Sequence, residues 1–350
     1  MDKYKHLNVE HIERLTPNAV KVTFELPEAL KEEFAFTPGQ YITIKTRING
    51  EEIRRSYSIC SAANAEQLSV GIKKIHDGLF SKYANDELKA GVQLEVHPPE
   101  GRFTFDASKD EAETVVAFAA GSGITPIMSI MHSVLSETDK NFILVYGNKK
   151  LEETMFHKEI AAMAKQYKDR FQVQFVYSRE QNEDALFGRI ERSTVNYILK
   201  NKVEKPQDCL FYLCGPETMI NNVSDALVSG GIAKDAVKFE LFTSGEDTAE
   251  VTGDLPEGKT KVTVVVDDEE YALVMDKKER VLDAVLKEDI DAPYSCQGGI
   301  CSSCIARVTE GKAEMVKNQI LTDSELEEGL ILTCQAHPTT STLALDYDDV

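Results

Sequence analysis

The sequence predicts a multidomain protein: a small antiparallel β-barrel, an α/β domain built on a parallel sheet, and an α+β C-terminal domain. Three changes of texture along the 350 residues predict it. Short alternating runs occupy residues 1–107, and continuous apolar runs separated by helical stretches occupy 108–242. A polar segment at 243–258 then leads into a cysteine-bearing section at 259–350. The length suits two or three domains.

The first section reads as strands at Leu7–Leu15, Ala19–Leu26, Tyr41–Arg47, Arg55–Cys60, Leu68–Ile75 and Val92–His97, with one helical segment at Phe80–Leu88. Thr37-Pro38-Gly39 and Asn49-Gly50 are turn signals between them. Many short strands with one helix make a small antiparallel barrel. In the second section Thr114–Ala120 is a continuous apolar run, and Phe142–Tyr146, Phe171–Tyr177 and Leu210–Cys214 read as further strands. Such runs are strands of a parallel sheet covered on both faces, and a helix opens at Pro126. Residues 243–258 keep neither period and read as a linker. Beyond it, Lys261–Val266 and Tyr271–Val274 form a hairpin and Val281–Lys287 a short helix.

No run reaches the ~18 apolar residues that a spanning helix needs. The start, Met1-Asp2-Lys3-Tyr4-Lys5-His6, leads into alternating residues and not into an apolar signal core. The expectation is a cytoplasmic protein with no membrane partner. A net charge of −20 excludes nucleic acid, because a phosphate backbone needs a basic surface. Residues 259–350 hold nine Lys and Arg against nineteen Asp and Glu, so about a quarter of the chain carries half of the net charge. Such a surface is either a solvated face or a docking face that steers a basic partner.

The seven cysteines are odd in number, and three lie within nine residues. That is a metal site in a reducing compartment and not a disulfide framework. Cys296-x4-Cys301-x2-Cys304, completed by Cys334, has the spacing of a plant-type [2Fe–2S] site. Four thiolates must converge on two irons, and three from one loop force that loop to wrap the cluster. Gln297-Gly298-Gly299-Ile300 supplies glycines for unusual backbone angles, and Ser302 and Ser303 are small donors that can tune a potential. The alternatives are zinc, which favours paired Cys-x2-Cys units, and reduced structural thiols. Cys60 and Cys209, in apolar strands, read as core residues.

Gly121-Ser122-Gly123-Ile124-Thr125-Pro126 follows a buried strand and opens a helix. Alone it is either a tight turn or a place where backbone approaches a pyrophosphate. Leu213-Cys214-Gly215-Pro216-Glu217-Thr218-Met219 is a second strand-to-helix junction, and two such junctions suggest a ligand crevice at the strands' carboxyl ends. Arg55-Ser56-Tyr57-Ser58 is either a polar strand or a set suited to a phosphate and an aromatic ring.

In this order, Arg55-x-Tyr57-Ser58, Gly121–Pro126, Cys214-Gly215-Pro216 and the four cysteines resemble the ferredoxin–NADP reductase superfamily over 1–242 and a plant-type ferredoxin over 259–350. Within that class, Glu52–Cys60, Tyr146-Gly147-Asn148 and Tyr294–Cys301 look like the group of reductase subunits of phenylacetyl-CoA epoxidases. The resemblance implies a β-grasp for the ferredoxin section. It also implies FAD, with FMN known in relatives of the same domain order, and NADPH as the donor, with NADH the alternative. Arg55 would hold the FAD pyrophosphate, Tyr57 would pack on the isoalloxazine, and Ser58 would sit near its hydride-accepting nitrogen, with Ser56 among the cofactor-binding candidates. Gly78, Leu79, Phe80 and Ser81 match a second phosphate contact, and Lys73 joins the cofactor-binding candidates. Thr125 and Cys214 would lie where nicotinamide meets flavin, with Glu240 and Phe242 closing the site, and Gly121, Gly123, Pro126, Gly215 and Pro216 join the cofactor-binding candidates. Ser178 and Arg179 match the pair that contacts the 2′-phosphate of NADP, although a surface arginine after a strand is the plain alternative. The implied catalytic residues are Ser58, Cys214 and Glu240.

Nicotinamide gives two electrons as hydride and the cluster takes one at a time, so the flavin must stand between them. The linker would let the ferredoxin section swing between flavin and acceptor. The implied acceptor is a di-iron oxygenase component docking on the acidic ferredoxin section, foremost that of phenylacetyl-CoA epoxidase. Oxygenases of the ring-hydroxylating or steroid-hydroxylating type are the alternative, and a non-catalytic iron–sulfur protein is the alternative of another class.

Overall fold

The computed structural model describes residues 3–65, 67–242 and 258–350. The described residues form two compact units, one spanning Lys3–Phe242 and the other holding residues 258–350.

The first unit opens with β1 (Lys5–Thr16), β2 (Ala19–Phe24), β3 (Tyr41–Ile48), β4 (Glu51–Ser58), β5 (Leu68–Lys73), α1 (Leu79–Asp86) and β6 (Gln93–Val96). These strands pair antiparallel in the order β4-β3-β6-β1-β2-β5. The end strands meet where Ile59 bridges Val70 and the Cys60 amide donates to the Ser69 carbonyl at 2.8 Å, which closes the barrel. Val20, Val22, Ile42, Ile44, Val70 and Ile72 alternate into its core. The expected strand Arg55–Cys60 is displaced. Asn49 and Gly50 both take positive φ, 54° and 87°, and form a two-residue turn of the hairpin kind. Glu51–Arg54 therefore pair with Lys45–Ile48, and β4 begins four residues early.

The same unit continues with β7 (Thr114–Ala120), α2 (Ile124–Glu137), β8 (Asn141–Asn148), α3 (His157–Gln166), β9 (Phe171–Tyr177), β10 (Ala185–Phe187), α4 (Arg192–Asn201), β11 (Cys209–Gly215), α5 (Glu217–Ser229) and β12 (Val237–Leu241). The sheet is parallel throughout, in the order β10-β9-β8-β7-β11-β12. From β7 the chain runs outward on one side through β8 to β10, then returns to build β11 and β12 on the other. The switch point between β7 and β11 is where open α/β sheets leave a ligand crevice. α2 starts at Ile124, two residues before the expected Pro126, because proline is tolerated in a first turn whose amide needs no partner. The short edge strands β10 and β12 carry no long apolar run and were not foreseen.

The second unit holds β13 (Lys259–Val266), β14 (Glu269–Asp276), α6 (Val281–Lys287), β15 (Ile305–Met315), α7 (Asp323–Glu327), β16 (Leu330–Leu332) and β17 (Ala336–Asp346), in sheet order β14-β13-β17-β15-β16. β13 and β17 are parallel and the other pairs antiparallel. Asp267 and Asp268 make the left-handed hairpin turn, and the Asp348 carboxylate accepts from both amides. α6 buries Val281, Leu282 and Val285 against this sheet's core. The expected linker lies outside the described residues except for Gly258, whose carbonyl accepts from the Lys277 amide at 2.9 Å. Among the described residues, no helix is long and apolar enough to cross a membrane.

Candidate active site and cluster loop

The two glycine junctions face each other across the switch point. β11 pairs with β7 up to Cys214 opposite Ala119, so Gly121–Gly123 and Gly215 leave the sheet at one level. A Cβ on Gly123 would lie 2.1 Å from the Cys214 carbonyl oxygen, so only glycine allows this approach. Gly121 has φ +57°, and the buried Tyr146 hydroxyl donates to its carbonyl at 2.9 Å. Thr125 is buried and donates to the Ser122 carbonyl at 3.0 Å, while Pro126 is buried behind it. The barrel presses on this junction through β5. A Cβ on Gly71 would lie 2.7 Å from Thr125 Cγ2, and one on Gly121 would lie 3.5 Å from Lys73 Nζ. Burial lowers the ammonium pKa of Lys73, leaving a cation that is poorly hydrated and available to an anion.

Ser58, Cys214 and Glu240 come together from three strands. Ser58 Oγ, at the end of β4, donates to Glu240 Oε2 at 3.4 Å. Glu240 on β12 stands in register with Cys214 on β11, and paired residues of neighbouring strands project to one face. Burial pushes the Glu240 carboxyl up to about 8, with the Ser58 hydrogen bond opposing. Burial also pushes the Cys214 thiol well up, and the charge of Glu240 adds to it. At neutral pH both groups keep their protons. Neither group then places a fixed negative charge at this junction.

Beside it, Tyr57 packs on Phe80 with ring centroids 5.6 Å apart, which brings β4 to the start of α1. Burial raises the Tyr57 phenol, with the Arg55 charge opposing. Arg55 is exposed, and its guanidinium donates to the Arg54 carbonyl at 2.7 Å. Ser56 shares a 2.9 Å hydrogen bond with Thr43. At the helix start, Ser81 Oγ donates to the Gly78 carbonyl at 3.2 Å and accepts from the Ile75 amide at 3.3 Å. A Cβ on Gly78 would collide with Ser81 Oγ at 2.3 Å. Leu79 is exposed, and so is Phe242 directly after β12. An exposed arginine, a tyrosine packed on Phe80 and a glycine-opened helix start form a set that fits a dinucleotide's ring and phosphates. Pro216 is the N-cap of α5, and its carbonyl accepts from the Met219 amide.

Ser178 and Arg179 lie apart from this group, just past β9. Their amides donate to the Asn148 and Lys149 carbonyls at 3.0 and 2.9 Å. Lys149 and Arg179 are both exposed, which puts two cations at neighbouring strand ends. Lys149 was missed in the sequence, although it follows β8 just as Arg179 follows β9.

In the second unit the four cysteines form two pairs. The Cys296 thiol is lowered to about 6, first by the hydrogen bond from Cys301 and also by the amides of Ile300, Gly298 and Cys301, against burial. The Gly298 amide donates to Cys296 Sγ at 3.3 Å. Cys304 and Cys334 are paired in the same way, with Cys334 lowered chiefly by the Cys304 thiol. Among the described residues, no three His, Cys, Asp or Glu side chains converge as ligands of one ion. Two thiols per iron is the arrangement a di-iron cluster requires. The loop turns through left-handed backbone at Gln297 (φ 53°) and Gly299 (φ 72°), so a glutamine takes one of the strained positions. Thr333 fastens the second pair: its amide and its hydroxyl both donate to the Cys304 carbonyl at 3.0 Å. Thr333 and Gln335 belong to no motif seen in the sequence.

Three family models match the chain: an oxidoreductase FAD-binding domain over residues 6–105, an oxidoreductase NAD-binding domain over 118–225, and a 2Fe-2S iron-sulfur cluster binding domain over 264–339. The last range contains all four cysteines. The chain is 34% identical to one of the subunits of the 1,2-phenylacetyl-CoA epoxidase of Escherichia coli K12, covering 99% of each chain. It is 31% identical to the ferredoxin reductase component of 3-ketosteroid-9-alpha-monooxygenase from Rhodococcus rhodochrous, covering 97% of this chain and 96% of that one. The phthalate dioxygenase reductase structure superposes with a TM-score of 0.62 at 21% identity, covering 99% of this chain and 98% of that one. With three family models along its length and a 34% identical relative matched over 99% of each chain, the chain belongs to the family of reductase components that use a pyridine nucleotide, FAD and a [2Fe–2S] cluster to pass electrons to oxygenases.

Proposed function

We propose that this chain is the NADPH-dependent reductase component of a phenylacetyl-CoA epoxidase, delivering electrons to a di-iron oxygenase component in the cytoplasm. The identity of 34% over 99% of both chains carries this reading. The steroid monooxygenase reductase component at 31% keeps other oxygenases as the second reading.

In the proposed mechanism, FAD held in the barrel unit would supply the conversion between two-electron hydride chemistry and single-electron transfer. The residues of this chain do the rest. Arg55, Ser56 and the Gly78–Ser81 helix start hold the phosphates, and Tyr57 sets the plane of the ring. Gly121, Gly123, Thr125, Gly215 and Pro216 let the nucleotide approach the β7–β11 crevice. Ser58 and Glu240 orient the hydride-accepting edge, and the neutral Cys214 thiol excludes water and charge from the transfer path. Arg179 and Lys149 select NADPH, because two cations favour a 2′-phosphate over a bare ribose. Cys296, Cys301, Cys304 and Cys334 would hold the cluster, which would supply the single-electron step toward the oxygenase. The boundaries proposed for these parts are 1–107, 108–242 and 259–350. The acidic 259–350 section is the proposed face for a basic oxygenase surface.

The test mixes purified reductase with a phenylacetyl-CoA epoxidase oxygenase component and follows NADPH and phenylacetyl-CoA together. Coupled consumption of both is expected. NADPH oxidation that couples only to a ring-hydroxylating or steroid oxygenase would move the chain to the second reading. A cluster-loaded protein that reduces no dye with either nucleotide would make it a non-catalytic iron–sulfur protein.

A further inference from the structure

Gln335 directly follows the fourth cysteine, and it joins the two halves of the cluster loop. Its side chain is 3% exposed, and its amide nitrogen donates to the Gln297 carbonyl and to the Cys334 carbonyl, each at 2.9 Å. The same nitrogen lies 3.9 Å from Cys334 Sγ. Gln297 directly follows Cys296, so one buried amide spans from the Cys296/Cys301 pair to the Cys304/Cys334 pair. The fit is close on the other side as well. A Cβ on Gly299 would lie 2.9 Å from Gln335 Cγ, so the glycine that turns the loop also makes room for this stem.

This placement has an electrostatic consequence. Reduction adds one negative charge to a cluster, and that charge spreads over its sulfurs. A buried amide's N–H edge near a ligand sulfur favours that charge, because the low local dielectric screens it little. Hydrogen bonding around the sulfurs is one of the levers that set an iron–sulfur potential. Both N–H groups of Gln335 are already fixed on carbonyls, so the dipole cannot turn away.

We propose that Gln335 is a positioning residue of the [2Fe–2S] site that locks the Cys296 segment to Cys334 and raises the cluster's reduction potential. This rests on the reading that the four cysteines hold the cluster. The lock acts on cluster retention and the dipole on potential, so the two parts can be measured separately.

The experiment compares anaerobically reconstituted wild type with Gln335→Glu and Gln335→Met, each as the full chain. Iron and sulfide content, the rate of cluster bleaching in the presence of a chelator, and an EPR-monitored reductive titration are recorded. Gln335→Glu replaces the donor by an acceptor in the same shape. It is expected to bleach several-fold faster and to titrate at a more negative potential. Gln335→Met keeps the stem against Gly299 but donates nothing, and it is expected to shift both readouts in the same direction by less. It also supplies the measurement if Gln335→Glu fails to load. Fully loaded variants with wild-type bleaching and potential would overturn the proposal. Faster bleaching at an unchanged potential would overturn the tuning role and leave only a staple. A wild type that holds no [2Fe–2S] centre would instead sink the reading on which the proposal rests.

Discussion

Cys214 in the parallel-sheet unit and Cys296 in the C-terminal unit are both cysteines at the heart of a site, but their surroundings treat the thiol in opposite ways. Cys214 has no exposure, and burial, the largest influence on it, holds it as a neutral thiol. Cys296 is partly exposed and gathers a thiol and three backbone amides, which pull it toward thiolate. Burial favours the uncharged form, and hydrogen-bond donors favour the charged one. On the proposed roles, a ligand must be a thiolate, whereas a group lining a hydride path serves best without charge. One residue type would then do two jobs, with burial and nearby donors deciding which.

If that division holds, each site can be broken alone. The largest expected effect is from Cys304→Ser, which should abolish the cluster signal and oxygenase-coupled turnover while NADPH still reduces a soluble dye at close to the wild-type rate. Loss of dye reduction as well would mean that the two sites are not separable. Arg179→Ala should raise KM for NADPH about tenfold, the loss of roughly one charge-assisted contact, and leave KM for NADH as it was. Equal changes for both nucleotides would remove Arg179 from the phosphate contact.

The smallest effect concerns Glu240. Its carboxyl titrates near 8 when folded against an ordinary value of 4.5. Between these values the folded chain holds a proton that the unfolded chain has released. Stability therefore falls as pH rises from about 4.5 to about 8 and levels off above. Each unit is worth about 1.4 kcal/mol at most. The side chain keeps some solvent contact, so the whole slope is expected at about 1–3 kcal/mol. Glu240→Gln should flatten it, read as the thermal midpoint from pH 5 to 9, and parallel curves for mutant and wild type would contradict the assignment.

The same pair of sites shows what a sequence discloses. Three cluster cysteines lie within nine residues, so their spacing states the chemistry, and the strands β7 and β9 were legible to the residue. Ser58 and Glu240 stand 182 positions apart, and no local pattern joins them; only the family resemblance placed them together. β15 and β17 stayed hidden because their polar stretches, Thr309–Glu314 and Thr339–Thr342, mask the strand period, and β15 pairs through register shifts at Val308/Glu310 and Gly311/Ala313. Gln335 was invisible for a related reason: its importance lies in reaching Gln297, 38 positions away.

The account depends most on two thiol pairs holding two irons. The direct measurement is iron and acid-labile sulfide per chain in the anaerobically reconstituted protein, with metal analysis for zinc. Two irons and two sulfides per chain are expected, falling toward zero in Cys304→Ser. One tightly held zinc, or iron without sulfide, would contradict it.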